Sequence, residues 1–360
     1  MQTYEKAIAN ARIAENDILN LTEVQVNDCL REVGNSLINN IDYIIKENNK
    51  DLERAKLIGA DTDSLTITAE QIREIAHLYF DFSTKKSVIG IKDGEQITTP
   101  VGVIAILFER KPKVIATAMA YIIKSQSVLI ACGGRELENT NLAFVNVIRA
   151  AIKSKRINED ICQGLALTSN SLLLQFIADD LDLIIPIGDK DFTDIVSQRS
   201  ASVCLKTAEP MPYVYIDKEV NAEEVAKQII MSNVKKILIH KDIYEAVMAL
   251  LKGKIGLIAN PIEYDFDVYN SLHKTAVAKI KNCAEAVKHI NKYTNRHTDI
   301  IFSNDEKQVE YFKKNVRSVN VLANSLDCSE PITIITTVIS RGSLSGQFTY
   351  DKLVSYKENK

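Results

Sequence analysis

Two short turns and six cysteines hold the side chains of this 360-residue chain that could bind or react. Leu107-Phe108-Glu109-Arg110-Lys111-Pro112 and Cys132-Gly133-Gly134-Arg135-Glu136 each follow an apolar run and precede a helical pattern. Such turns close strands of an open α/β sheet, and ligands collect outside the carboxyl ends of those strands. Glycines let backbone approach a phosphate, the following helix N-terminus offers N–H donors, and Arg135 could pair a phosphate. The same Gly-Gly spacing also serves a plain tight turn, and the GxGxxG fingerprint is absent.

Cys29, Cys132, Cys162, Cys204, Cys283 and Cys328 lie far apart with no CxxC pair, which reads as free thiols in a reducing compartment. His77, His240, His273, His289 and His297 never meet a cysteine or carboxylate at ligand spacing, so no metal site is expected. A cysteine acts as a nucleophile only as its thiolate. Cys204 sits among apolar neighbours. Cys283 follows Asn282 as an N-cap with Glu285 completing a capping box, where a helix terminus would lower its pKa.

The elements that would position these groups are legible from periodicity. Thr22–Gln25 has capping-box spacing, and Leu30, Val33, Leu37, Ile41, Ile44 and Ile45 follow at helical intervals. Another helix is expected over Ala69–Tyr79. Ser87–Ile91 and Gln96–Thr99 flank Asp93-Gly94 as a hairpin. From Val101 onward apolar strands alternate with helices: Val101–Phe108, a helix from Pro112 to Lys124, Ser127–Cys132, a helix to Lys153, and further units through Ser202–Leu205. Continuous apolar strands suit a doubly wound parallel sheet. The alternation restarts near Val220. The expected division is 1–219, 220–323 and a β-rich return segment 324–360.

Hydrophobic residues make up 46%, charged residues 25%, and the formal net charge is −3. Those figures exclude a disordered chain and give no footprint for nucleic acid or an anionic membrane. No apolar run approaches the roughly 18 residues of a bilayer span. The charged N-terminus is not a signal peptide, so a cytoplasmic protein is expected.

The run Thr98–Asn141, TTPVGVIAILFERKPKVIATAMAYIIKSQSVLIACGGRELENTN, resembles the cofactor-binding segment of the γ-glutamyl phosphate reductase family, within the aldehyde dehydrogenase superfamily. LDLIIPIGDKDF, YVYIDKEVNAEEVAKQII, NRHTDIIFSNDEKQVEYFKKNVRSVNVLANS and SRGSLSGQFTYDKLVSYK resemble later segments of that family in the same order. The resemblance covers nearly the whole chain. It implies an aldehyde dehydrogenase-like α/β fold: a doubly wound cofactor domain, a smaller α/β catalytic-type domain, and a β extension that joins subunits into a homodimer or higher homo-oligomer. The hairpin 87–99 and the segment after Pro331 would form that extension.

On the same resemblance, Phe108, Glu109 and Pro112 match the first cofactor turn, Lys124, Gly133, Gly134 and Arg135 the second, and Gly188 the third. NADP is the implied cofactor and L-glutamyl 5-phosphate the implied substrate, reduced through a cysteine thioester in proline biosynthesis. The family's cysteine loop falls where this chain runs from Ser232-Asn233 into Val234-Lys235-Lys236, without a cysteine. Its Arg-Gly-Gly turn becomes Ile187-Gly188-Asp189, whose aspartate would repel a phosphate. Its two glycine-rich loops become Lys206-Thr207-Ala208-Glu209-Pro210 and Leu326-Asp327-Cys328-Ser329-Glu330. Cys328 is then the one candidate replacement nucleophile. Two functions follow as expectations, a reductase of this family or a non-catalytic homologue that binds nucleotide or acts as an oligomeric scaffold.

Overall fold

The computed structural model describes residues 3–167, 169–205, 212–232, 234–259, 274–294, 298–318, 320–326 and 353–358. The chain divides into two compact units between Thr207 and Ala208, with the C-terminal strand belonging to the first.

The first unit opens with helices α1 (Tyr4–Leu19), α2 (Glu23–Asn39), α3 (Ile41–Leu57) and α4 (Ala69–Thr84). Both reciprocal capping boxes are formed: Thr22 with Gln25, and Thr68 with Gln71. The apolar series that runs on to Ile45 is divided between α2 and α3. Asn40 breaks it, because its side-chain amide donates to Ser36 O at 2.8 Å and the backbone leaves helical geometry at ψ 19°.

The strands follow: β1 (Lys92–Asp93), β2 (Gln96–Thr99), β3 (Val103–Phe108), β4 (Val128–Gly133), β5 (Cys162–Leu165), β6 (Leu183–Ile187) and β7 (Val203–Cys204). Between them lie α5 (Val114–Lys124), α6 (Glu138–Ser154), α7 (Asn170–Ile177) and α8 (Lys190–Arg199). Ser87–Ile91 does not form the expected strand; the chain turns through Gly90 at φ 80°, and Gly90 N donates to Thr98 O instead. In the hairpin β1 pairs antiparallel with β2, which pairs antiparallel with the C-terminal strand, Ser355–Glu358. The segment 331–339 lies outside the described residues.

Strands β3 to β7 make a parallel sheet ordered β5-β4-β3-β6-β7. The chain builds outward from β3 to β5, then returns to lay β6 on the other side of β3. The gap between β3 and β6 is therefore the topological switch point. β3, β4 and β6 are buried almost throughout, which is why their sequences read as unbroken apolar runs. Asp182 fastens α1 to the sheet: its carboxylate accepts from Val103 N at 2.7 Å and pairs with Arg12.

The second unit contains β8 (Tyr213–Ile216), α9 (Ala222–Met231), β9 (Lys236–His240), α10 (Tyr244–Leu251), β10 (Leu257–Ala259), β11 (Thr275–Ile280), α12 (Cys283–Tyr293), β12 (Thr298–Phe302), α13 (Glu306–Asn315) and β13 (Asn320–Ala323). The C-terminal strand Ser355–Glu358 is β14. The second sheet is parallel in the order β10-β11-β9-β8-β12-β13. Because β8 lies inside it, the division falls before Tyr213, and the expected boundary at 219/220 is corrected to 207/208. Asp299 is fully buried in this unit, where it accepts from Tyr213 N at 2.8 Å, Thr294 Oγ1 at 2.7 Å and Ser318 Oγ.

Candidate nucleotide-binding site

The turns after β3, β4 and β6 converge at the carboxyl edge of the first sheet. Phe108, the last residue of β3, is buried, and its carbonyl accepts from Gly134 N at 3.1 Å. Glu109 N donates to Ile187 O at 3.2 Å, joining the first turn to the third. Arg110 takes a left-handed conformation at φ 52°, and its N–H donates to Glu136 Oε1 at 2.7 Å. Pro112 is buried two residues before α5 begins at Val114.

Gly133 has a steric reason. A Cβ there would collide with the Asn141 side-chain amide and stand 2.8 Å from Phe108 Cζ. A Cβ at Gly134 would run into the Glu136 carboxylate, and one at Gly188 would lie 2.8 Å from Phe192 Cδ1 and 3.4 Å from Glu109 Oε2. Phe108, Glu109, Gly133, Gly134 and Gly188 thus belong to one surface, with Arg135 on its rim. Arg135 begins a single 3-10 turn, Arg135–Leu137, and its carbonyl accepts from the Arg54 guanidinium.

Lys124 does not join them. It ends α5, which has carried the chain away from the turn after β3 toward the start of β4. The residue is 1% exposed, its ammonium donates to Asn27 Oδ1 at 3.0 Å and to Lys85 O, and burial lowers its pKa. The expected cofactor contact is corrected to a structural one.

A cavity of about 480 Å³ opens beside the second turn, between the carboxyl ends of β4 and β5. Ile115, Val145, Leu165 and Leu167 give it apolar walls, and Arg135, Glu138 and Asn141 bring polar groups to it. Asn141 Oδ1 is buried with no hydrogen-bond partner among the described residues. Glu138 and Asn141 went unremarked in the sequence, where they read as ordinary helix residues after the turn.

The switch point itself carries negative charge. Glu109 has its carboxyl pKa raised first by burial, then by the charges of Asp189 and Glu136, against the opposing charge of Arg110. Asp189 caps α8, with Oδ1 accepting from Phe192 N at 2.8 Å.

The cysteines offer no activated thiol among the described residues. Burial pushes Cys29 and Cys162 up to about 12 and Cys204 to about 11, and raises Cys132. Cys283 rises to about 12 through burial and the charge of Asp217, against the lowering expected at its helix terminus. Asn282 Oδ1 does accept from Glu285 N at 2.9 Å, but Glu285 answers Lys281 N rather than the cap residue. Cys328 and Asn233 lie outside the described residues. Between α9 and β9 the chain has Ser232, Asn233, Val234 and Lys235, with Ser232 Oγ donating to Ile229 O at 2.9 Å. No group of three metal-ligating side chains occurs among the described residues, and no described helix is long and apolar enough to cross a membrane.

A parallel sheet with a switch point, a strand-end cavity and a second parallel α/β unit defines a protein with the aldehyde dehydrogenase-type fold. An acetylating aldehyde dehydrogenase from Geobacillus thermoglucosidasius superposes with TM-score 0.73 at 13% identity, covering 98% of this chain and 95% of that one. An engineered glycolyl-CoA reductase with bound NADP+ superposes with the same score and identity, covering 99% and 96%. More particularly, the chain is similar to proteins described as γ-glutamyl phosphate reductases. The one from Dictyoglomus turgidum is 26% identical over 368 residues, spanning 90% of this chain and 88% of its own. The structure of the Thermotoga maritima protein superposes with TM-score 0.81 at 20% identity, covering 99% and 97%. No family model matches the chain.

Proposed function

We propose that this chain is a nucleotide-binding homologue of the γ-glutamyl phosphate reductases that no longer performs their thiol-dependent reduction. One observation carries this reading. The α9–β9 connection, where the resemblance puts the nucleophile, is reduced to Ser232–Lys235 and has no cysteine. Acyl-phosphate reduction through a thioester requires a thiolate, and the five described cysteines are all held protonated by burial. What remains at the first sheet is a ligand cavity at strand carboxyl ends, the position where open α/β sheets bind nucleotides.

The residues present fit only part of a nicotinamide dinucleotide. The apolar cavity with Asn141, Glu138 and Arg135 suits an adenosine moiety, while the carboxylates at the switch point oppose a pyrophosphate. The extension sheet formed by β1, β2 and β14 supports association of two copies through its edge strands.

The test is turnover. Purified protein is given γ-glutamyl phosphate generated in situ and NADPH, and absorbance is followed. The expected result is no oxidation above the substrate-free rate. A second reading, reductase with Cys328 as nucleophile, is favoured by the alignment that runs through 90% of the chain. Turnover that disappears in Cys328→Ser would establish it and overturn the first.

A further inference from the structure

The cavity and the switch point pull in opposite directions, and that disagreement identifies a ligand class. The cavity lies to one side of the switch point, against β4 and β5, while the crevice that would cradle a dinucleotide's pyrophosphate lies between β3 and β6. Three features close that crevice to phosphate. Two amides at the turns are committed, Gly134 N to Phe108 O and Glu109 N to Ile187 O. The N-terminus of α8, the natural anion site of the third turn, is filled by the chain's own Asp189 carboxylate. The Glu136 carboxylate folds over Gly134, where a backbone approach would otherwise be open.

The cavity has the opposite character. Its volume falls within the roughly 300–1,000 Å³ of small-ligand sites, and its walls are aliphatic, suited to the face of a flat base. Asn141 supplies an amide acceptor that has no partner among the described residues. A carboxamide pairs two-pronged with the amino group and ring nitrogen of adenine. Glu138 on the same lining can accept ribose hydroxyls and disfavours a phosphate esterified to them. Arg135 can hold one phosphate outside the cavity.

We propose that this cavity takes an adenine mononucleotide, one base, one ribose and a single 5′-phosphate, and that Glu109, Glu136 and Asp189 exclude the pyrophosphate bridge of a dinucleotide. This rests on the nucleotide-binding reading above, and it narrows the ligand to a class that cannot deliver hydride.

Calorimetric titration of the full chain with AMP, NADPH and NADH tests it. AMP should bind at least roughly tenfold more tightly than either dinucleotide. The double variant Glu109→Gln/Asp189→Ser keeps an N-cap on α8 and should gain about tenfold in NADPH affinity with AMP affinity unchanged. Leu142→Trp, at an exposed position in the lining, should abolish AMP binding without unfolding the chain. NADPH binding as tightly as AMP, an unchanged NADPH affinity in the double variant, or AMP binding that survives Leu142→Trp would each overturn the proposal. Binding of none of the three ligands would also remove nucleotide binding from the proposed function, whereas only the turnover assay bears on the loss of reduction.

Discussion

The main-chain N–H of Arg110 donates to Glu136 Oε1 at 2.7 Å, so a side chain from the turn after β4 fixes the turn after β3. Arg110 needs that restraint, since a non-glycine residue at φ 52° is strained. Glu136→Ala should cost about 1 kcal/mol in urea unfolding, and Glu136→Gln, which keeps the acceptor, should be close to neutral. Equal losses in both variants would show that the carboxylate's charge, not its hydrogen bond, is what matters.

Asp51 on α3 does for α6 what the helix cannot do for itself. The residue before α6, Leu137, makes no side-chain cap. Asp51, completely buried, instead accepts from Thr140 N at 2.8 Å, Thr140 Oγ1 at 2.7 Å, Asn139 N at 3.3 Å and Asn139 Nδ2 at 2.8 Å. Asp51→Asn turns one acceptor into a donor facing donors. The expected loss is about 2–4 kcal/mol, read from chemical unfolding. A loss under about 0.5 kcal/mol would mean that water satisfies these donors.

The first sheet was legible because strands buried on both faces must be apolar throughout, and β3, β4 and β6 are. The turns after β3 and β4 were legible for a related reason, since polar residues interrupt those runs at the strand ends. Asp51 was not, because its sequence context, Lys50-Asp51-Leu52-Glu53-Arg54, reads as a solvated helix face until α6 is laid against it. Lys124 misled for the opposite reason: the resemblance grouped it with the Gly-Gly turn, whereas β4 runs its whole length between the end of α5 and that turn and carries them to opposite ends of the sheet. Asn141 gave no signal, because an orphaned amide oxygen exists only once the fold has buried it.

The buried Asp299 gives the second unit a signature in pH. Burial raises its pKa from 3.8 to about 6, against the lowering by Ser318, Thr294 and Tyr213 N. A raised carboxyl pKa means that the folded state holds the proton more tightly than the unfolded chain does. The stability this confers is complete below about pH 3.8 and is lost as pH rises through about 6. His289, lowered from 6.5 to about 4 mainly by burial, acts the other way, so its contribution is lost as pH falls. The two oppose each other in the wild-type profile. Comparison with Asp299→Asn isolates the first, since His289 is present in both proteins. Wild-type stability relative to the variant should fall by roughly 2–3 kcal/mol between pH 4 and 7. A constant difference across that range would place the Asp299 pKa near its unfolded value.

Thiol reactivity distinguishes a dormant site from a working one. A thiol held near 12 is ionised at pH 7.5 about a thousandfold less than an ordinary exposed cysteine, and close packing slows attack further. Cys29, Cys162 and Cys283 meet both conditions, and Cys132 is buried in the strand that leads to the Gly-Gly turn. Cys204 is only partly buried and sits at about 11, so it should be the first of the described five to react. Iodoacetamide treatment of the native protein at pH 7.5, read by peptide mass spectrometry, should therefore label Cys204 slowly and the other four only on unfolding. Raising the pH to about 9.5 should accelerate Cys204 by close to tenfold per unit, because the thiolate fraction is still far from saturation. Fast, pH-independent labelling of any of the five would reveal a stabilised thiolate and reopen thiol catalysis at that position.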